Sequence, residues 1–295
     1  MTGRTTRLVC SAVVATLVLA GCSGSDAGDG TDDASGATVR GATCEATPPE
    51  ELVPEVLETS PHDATSYTQG LLVRDGVVFE SAGRYGESRL VGYDLATGDD
   101  LVAVDLPEDV FAEGLALVGD DELVQLTWKE GVAYRWDVGE LLASRAGATQ
   151  VEPTGELRFE GEGWGLTEVD DGTLVMSDGS DTLVVRDPDD FAELAAHRVE
   201  RDGGPSDALN ELDWDGESLW ANRYQSDELL RIDPDCWTVT GVVDLSPLRD
   251  DAAEAGGEQD VTIDVTNGVA HLDDGEFLVT GKWWPTSYRV RFVPA

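Results

Sequence analysis

Gln69-Gly70-Leu71 opens a stretch that runs through the turn Asp75-Gly76 into Val77-Val78-Phe79-Glu80. An apolar run, a tight acidic-Gly turn and a second apolar run read as a β-hairpin, because Gly takes the positive φ such turns need. The opening phrase returns four times, as Glu113-Gly114-Leu115, Trp164-Gly165-Leu166, Asn210-Glu211-Leu212 and Asn267-Gly268-Val269. The middle residues of successive copies lie 44, 51, 46 and 57 positions apart. Each copy also repeats the turn, as Gly119-Asp120-Asp121, Asp171-Gly172, Asp215-Gly216 and Asp274-Gly275. A third run ends in aspartate at Asp94, Asp137, Asp187 and Asp233, and the fifth copy closes with Tyr288 to Phe292. Fourth strands are legible from Leu101 to Leu106 and from Val239 to Leu245.

A period of this size with strands inside each copy predicts an all-β, five-bladed β-propeller of four-stranded antiparallel blades around a central channel. The last blade lacks an outer strand of its own, and Val53 to Glu58 is the segment expected to supply it, closing the ring from both termini. Short helices are expected only at Val138 to Ala146 and Ser246 to Ala255, in loops between blades.

Residues 1–22 read as a targeting segment: Arg4 and Arg7 precede an apolar run from Leu8 to Ala20, too short to span a bilayer. The run ends in Leu19-Ala20-Gly21-Cys22, which resembles a bacterial lipobox and implies cleavage before Cys22, lipidation there, and extracytoplasmic anchoring to a bacterial cell membrane. Residues 23–51 form an acidic Gly/Ser/Thr/Pro spacer, and residues 52–295 the propeller. With Cys10 removed and Cys22 lipidated, Cys44 and Cys236 remain, and an oxidising compartment favours their bonding. A loop that long is worth about 5 kcal/mol on the chain-entropy model.

Sixty acidic and nineteen basic residues give a formal charge of −41, which repels phosphate backbones and excludes nucleic acid as a partner. Most carboxylates are solvated turn residues, and no stretch has the calcium-loop spacing. His62, His197 and His271 lie at unequivalent positions without metal-ligand spacing, so no metal site and no role is assigned to them.

Equivalent positions of a propeller converge on its axis, so Gln69, Glu113, Trp164, Asn210 and Asn267 should meet near one rim of the channel. Tyr67 and Phe111 stand two residues before their phrase partners, and the second strands end near Glu80, Trp128, Asp178, Asn222, Tyr224, Lys282 and Trp283. A carboxylate, a lysine, primary amides and aromatics around one cleft suit a small catalytic site. Bland readings stand beside this one. Lys282 could balance nearby carboxylates, Trp136, Trp214 and Trp237 are assigned to packing between blades, and Asn267 is expected to cap a turn. Glu80, Glu162 and Asp178 are expected behind the site rather than in it.

Further phrases sharpen the reading: Tyr67-Thr68-Gln69-Gly70-Leu71, Phe111-Ala112-Glu113-Gly114-Leu115, Gly163-Trp164-Gly165-Leu166-Thr167, Met176-Ser177-Asp178-Gly179-Ser180, Leu209-Asn210-Glu211-Leu212 and Thr280-Gly281-Lys282-Trp283-Trp284-Pro285. As an ordered set from about Pro61 to Arg291, they resemble the plant- and bacterial-type (papaya-type) glutaminyl-peptide cyclotransferases. The resemblance implies a zinc-independent enzyme, without cofactor, that converts the N-terminal glutamine of a peptide or protein to pyroglutamate and releases ammonia. It points to Glu113 as acid/base, with Lys282 and Asn210 beside it, and to a pocket of Gln69, Trp128, Trp164, Tyr67, Phe111 and Tyr224. Tyr67 stands where that family has phenylalanine, and Tyr224 where it has tryptophan. A monomer is expected. Two other readings stay open: a metal-dependent lactonase-like propeller hydrolase, and a propeller that binds peptide or sugar without turnover.

Overall fold

The computed structural model describes Cys44 and residues 47–144, 151–170 and 172–295, all within the unit Ala42–Ala295. Cys10, Cys22, the targeting segment, most of the spacer and Asp171 lie outside the described residues.

The expected hairpins are present. In the first copy Thr68–Arg74 pairs antiparallel with Val77–Ala82, and Asp75 and Gly76 both take positive φ (51° and 78°), matching the right-handed twist of the flanking strands. Arg89–Asp94 and Asp100–Asp105 complete a four-stranded sheet. A second such sheet holds Ala112–Val118, Glu122–Thr127, Val132–Asp137 and Gly155–Arg158. A third holds Leu166–Glu168, Leu174–Met176, Thr182–Arg186 and Glu193–Arg198.

The fourth and fifth copies are joined in one larger sheet. Its path runs Leu209–Trp214, Leu219–Arg223, Glu228–Asp233, Thr238–Asp244, Glu50–Pro61, Thr286–Pro294, Phe277–Gly281 and Thr266–His271. The N-terminal strand supplies the missing outer strand, antiparallel to Thr286–Pro294 and longer than expected. It also pairs in parallel with the preceding copy, Glu50 to Leu52 against Gly241 to Val243, a contact without a signal in the repeat pattern. Ser246–Glu258 forms a helix that runs beyond Ala255, and Val138–Ser144 forms the other. The architecture is an all-β, propeller-like set of antiparallel sheets. Cys44 and Cys236 form a disulfide.

The first strands of the five copies lie side by side in a closed cycle. Thr68–Arg74 touches Ala112–Val118, which touches Leu166–Glu168, then Leu209–Trp214, then Thr266–His271, which returns to Thr68–Arg74. The phrase glycines make that approach possible. A Cβ on Gly70 would sit 2.5 Å from the Leu115 nitrogen, and one on Gly114 2.6 Å from the Leu166 nitrogen and the Trp164 carbonyl oxygen. On Gly165 it would overlap the Asn210 carbonyl.

The fourth copy carries Glu211 instead. Its carboxyl oxygens accept the backbone N–H of Leu71 (3.3 Å) and Val269 (3.0 Å), tying the fourth inner strand to the first and fifth. Trp136 is buried in the apolar core shared by the first and second sheets, while Trp214 and Trp237 pack against a separate core shared by the third sheet and the fourth copy, as assigned.

Candidate active site

Every paired inner strand that carries a phrase breaks register at the phrase itself. The shifts fall between Thr68 and Gly70, Ala112 and Leu115, Leu209 and Leu212, and Thr266 and Val269. A β-bulge re-aims the side chain it carries. Here it interrupts strict alternation at Gln69, Glu113, Asn210 and Asn267. Trp164 instead precedes its strand, held by its N–H on the Ser177 carbonyl (3.0 Å).

The residues after the second strands are hung from the residues immediately before the inner strands. Trp128 N–H donates to Phe111 O, Tyr224 N–H to Ala208 O and Lys282 N–H to Val265 O. A cleft of about 260 Å³ results, lined by Tyr67, Gln69, Phe111, Glu113, Trp128, Trp164, Asn210, Tyr224 and Lys282.

Its floor is one hydrogen-bonded chain. The Gln69 amide donates to Glu113 Oε1 (3.1 Å), while its carbonyl oxygen accepts a short bond from Lys282 Nζ. Lys282 Nζ also donates to Thr68 O (2.9 Å). Asn267 Nδ2 donates to that same carbonyl (2.9 Å), and Asn267 Oδ1 accepts from Asn210 Nδ2 (2.9 Å). Asn267 therefore caps no turn; it is wholly buried and joins Asn210 to the first copy.

The walls are aromatic. Trp128 and Trp164 donate their indole N–H groups to one oxygen of Glu162, at 2.8 and 3.1 Å, so a single carboxylate orients both rings. Burial would raise the Glu162 pKa, but the two indoles and Lys129 outweigh it and hold it below the usual value. Phe111 packs against Tyr67 and Trp128, with centroids at 6.3 and 5.5 Å, and Trp164 against Tyr224 at 5.4 Å. Trp283 stands behind Tyr67, with centroids 4.8 Å apart. Asp178 lies outside the cleft lining and accepts the Ser180 N–H.

Electrostatically the floor is a buried acid and a buried base. Glu113 is 4 % exposed and Lys282 1 %. Burial pushes the Glu113 carboxyl well above its usual range; Lys282 opposes that rise, and Glu130 and Glu162 add to it. Burial pulls Lys282 down to about 8 against the attraction of Glu113, Asp264 and Glu211. A carboxyl whose pKa burial raises and an ammonium beside it can move a proton and stabilise an oxyanion. Glu113 is the one carboxylate among the described residues lining the cleft, which leaves no multidentate acidic cage there.

The side chain of His62, given no role from sequence, is buried behind this floor. Its Nδ1 lies 2.7 Å from the Trp284 carbonyl oxygen and its Nε2 3.1 Å from Glu80 Oε2. Glu80 Oε1 accepts the Thr68 hydroxyl (2.7 Å). Two signals were available for the missed residues. Asn267 occupies the phrase position held by Gln69 and Asn210, and Glu211 breaks the Gly rule at the middle position.

A family model described as glutamine cyclotransferase matches residues 33–292. A glutaminyl-peptide cyclotransferase of Arabidopsis thaliana is 35 % identical over 243 residues, covering 82 % of this chain and 72 % of that protein. The crystal structure of Myxococcus xanthus glutaminyl cyclase superposes with a TM-score of 0.73 at 34 % identity, over 84 % of this chain and 99 % of that one. By sequence along most of its length and by fold, the chain belongs to the glutamine cyclotransferase family.

Proposed function

We propose that this protein is a glutaminyl-peptide cyclotransferase, cyclising the N-terminal glutamine of a peptide or protein to pyroglutamate with release of ammonia. The observation that carries the reading is the continuous buried chain Glu113–Gln69–Lys282 on the floor of an aromatic cleft sized for one side chain. In this reading the substrate amine, which titrates near 8 when free, attacks the γ-carboxamide carbon in its neutral form and loses one N–H proton as the bond forms. Glu113 takes that proton as the new C–N bond forms and returns it to the departing nitrogen when the tetrahedral intermediate collapses, so the bond to the leaving ammonia breaks and the lactam carbonyl is restored. Lys282 and the Asn210 amide stabilise the oxyanion of the tetrahedral intermediate. Trp128 and Trp164, oriented by Glu162, hold the side chain curled so that attack is intramolecular. Gln69, Tyr67, Phe111 and Tyr224 bound the space around it.

The test is ammonia release from a glutaminyl dipeptide, with the pyroglutamyl product identified by mass spectrometry, in the presence and absence of chelator. Absence of product defeats the proposal, and loss of activity with chelator favours the metal-dependent hydrolase instead.

The same reading takes the fold as a five-bladed propeller over 52–295 whose last two blades share an edge; the closed cycle of inner strands supports it. It also takes Cys22 as a lipid anchor, residues 1–22 as a signal segment and 23–51 as a tether, with the enzyme outside the cytoplasm. The Cys44–Cys236 disulfide suits that compartment. Cys22→Ser should abolish labelling with a fatty acid and release the protein from membranes.

A further inference from the structure

The corner that carries Lys282 is fastened to the segment before the first inner strand. Trp283 N–H donates to Ser66 O (2.7 Å), and His62 N–H to Pro285 O (2.9 Å). The His62 ring adds two bonds, and their chemistry is restrictive. The Trp284 carbonyl 2.7 Å from Nδ1 can only accept, so Nδ1 carries a proton. Nε2 faces Glu80 at 3.1 Å, and both side chains are 1 % exposed. Glu80 also accepts the hydroxyl of Thr68, whose carbonyl holds Lys282 Nζ and Asn267.

We propose that His62 is a positioning residue for the cyclisation: a buried imidazolium that donates from both ring nitrogens, holding Glu80 and the Trp284 carbonyl so that Lys282 stays on the Thr68 carbonyl beside the reacting amide. The inference rests on the cyclase reading of Lys282. Charged and titratable groups facing the pair are Asp63, next in sequence, Arg89, which bonds Asp63 at 3.1 Å, and Tyr93, whose phenol responds to Glu80. Burial alone would lower the His62 pKa, but Glu80, the Trp284 carbonyl and Asp63 outweigh it and hold it above the ordinary value. Burial would likewise raise Glu80, and His62, Thr68 and Arg89 hold it down. The proton therefore sits on the ring, and as pH rises through the raised His62 pKa the ring becomes neutral and one of its two bonds is lost.

The test combines ring nitrogen NMR on the intact chain with steady-state kinetics on a glutaminyl dipeptide. The chain has three histidines, so His197→Gln and His271→Gln assign the His62 signals by elimination. At pH 6.5, the ordinary imidazole value, both His62 nitrogens should show mainly the protonated shift; a neutral ring there, with the proton on Glu80, overturns the proposal. His62→Gln should lower kcat about ten- to a hundredfold with KM changed less than about twofold, because the loss is one of placement. Glu80→Asp, which keeps the charge, should recover much more of kcat than Glu80→Gln, and should move the ring titration and the alkaline fall of kcat together. A kcat that stays level while the wild-type ring deprotonates also overturns it, whether or not the variants fold. Absence of ammonia release from the wild type would instead sink the cyclase reading, while a charged ring with insensitive kcat sinks only the role given to His62.

Discussion

Two side chains share the proposed chemistry, and their shared burial sets what each does with its proton. Glu113 lies in a site where a charged carboxylate is costly, so its pKa is raised, and it can return to the leaving nitrogen the proton it took from the amine. Glu113→Gln keeps the shape and a hydrogen-bonding group but cannot carry a proton. Turnover should fall at least about a thousandfold, while tryptophan fluorescence still reports saturable binding of a glutaminyl peptide to the cleft. Lys282 belongs to the later part of the path. Lys282→Ala should lower kcat about a hundredfold or more with a smaller change in KM, since the oxyanion exists only after attack. The pH dependence follows from its depressed pKa of about 8. The ammonium is the donor, so kcat should decline as pH rises through that value. A kcat flat to pH 10 would remove Lys282 from the oxyanion role.

At the level of strands, the phrase glycine and the bulge beside it do separate work. The glycine lets one inner strand approach the next, and the bulge aims the preceding side chain at the axis. Gly114→Ala places a methyl 2.6 Å from two backbone atoms that cannot yield independently. Urea denaturation should therefore show a loss of about 1–3 kcal/mol, without a change in the polar residues of the cleft. Glu211→Ala leaves the N–H groups of Leu71 and Val269 without their acceptor, at about 1–3 kcal/mol each. These two predictions also mark what was legible in the chain. Repetition of the phrase is a one-dimensional signal, so the copies, their hairpins, the borrowed N-terminal strand and the cleft-lining residues could be found by aligning the chain with itself. The bulges are not written that way, because one extra residue in a strand looks the same whether or not it is paired. Asn267 was misread for a related reason: a local rule about turns was applied to a residue whose partners, Asn210 and Thr68, are 57 and 199 positions away. His62 stands outside the repeat altogether, so no equivalent position could identify it. The parallel pairing of Glu50 to Leu52 depends on a neighbouring copy's edge being open, which is a property of the assembled sheet.

Across the whole molecule, charge and buried acid act in one direction. The formal charge of −41 makes the compact state self-repelling at neutral pH. On top of that field, Glu113, Glu211 and Asp213 are carboxyls whose pKa values burial raises, Asp213 to about 7. A group whose pKa is higher folded than unfolded contributes stability fully present below its unfolded pKa and lost as pH rises through the folded one. For Asp213 that window runs from about 3.8 to about 7. His62, also raised, adds its loss above its ordinary value. Glu80, Glu162 and Glu228 have lowered values, so their stabilisation is present at neutral pH and fails only as pH drops below the carboxylate range. Lys282 opposes the trend only above about 8, where the folded protein no longer has to bury its ammonium. Thermal melting should therefore give a higher midpoint near pH 5.5 than near pH 8. Asp213→Asn should raise the midpoint at pH 8 by about 2 kcal/mol, roughly 4–8 °C, and change it little at pH 4. Added salt at pH 8 should raise the midpoint further by screening the net charge, an effect that leaves the buried pair Glu113 and Lys282 largely untouched. A melting profile that climbs steadily from pH 5 to 8 would mean that these carboxyls are already ionised in the folded protein at pH 5, and the upward shift that burial gives Glu113, Glu211 and Asp213 would fail with it.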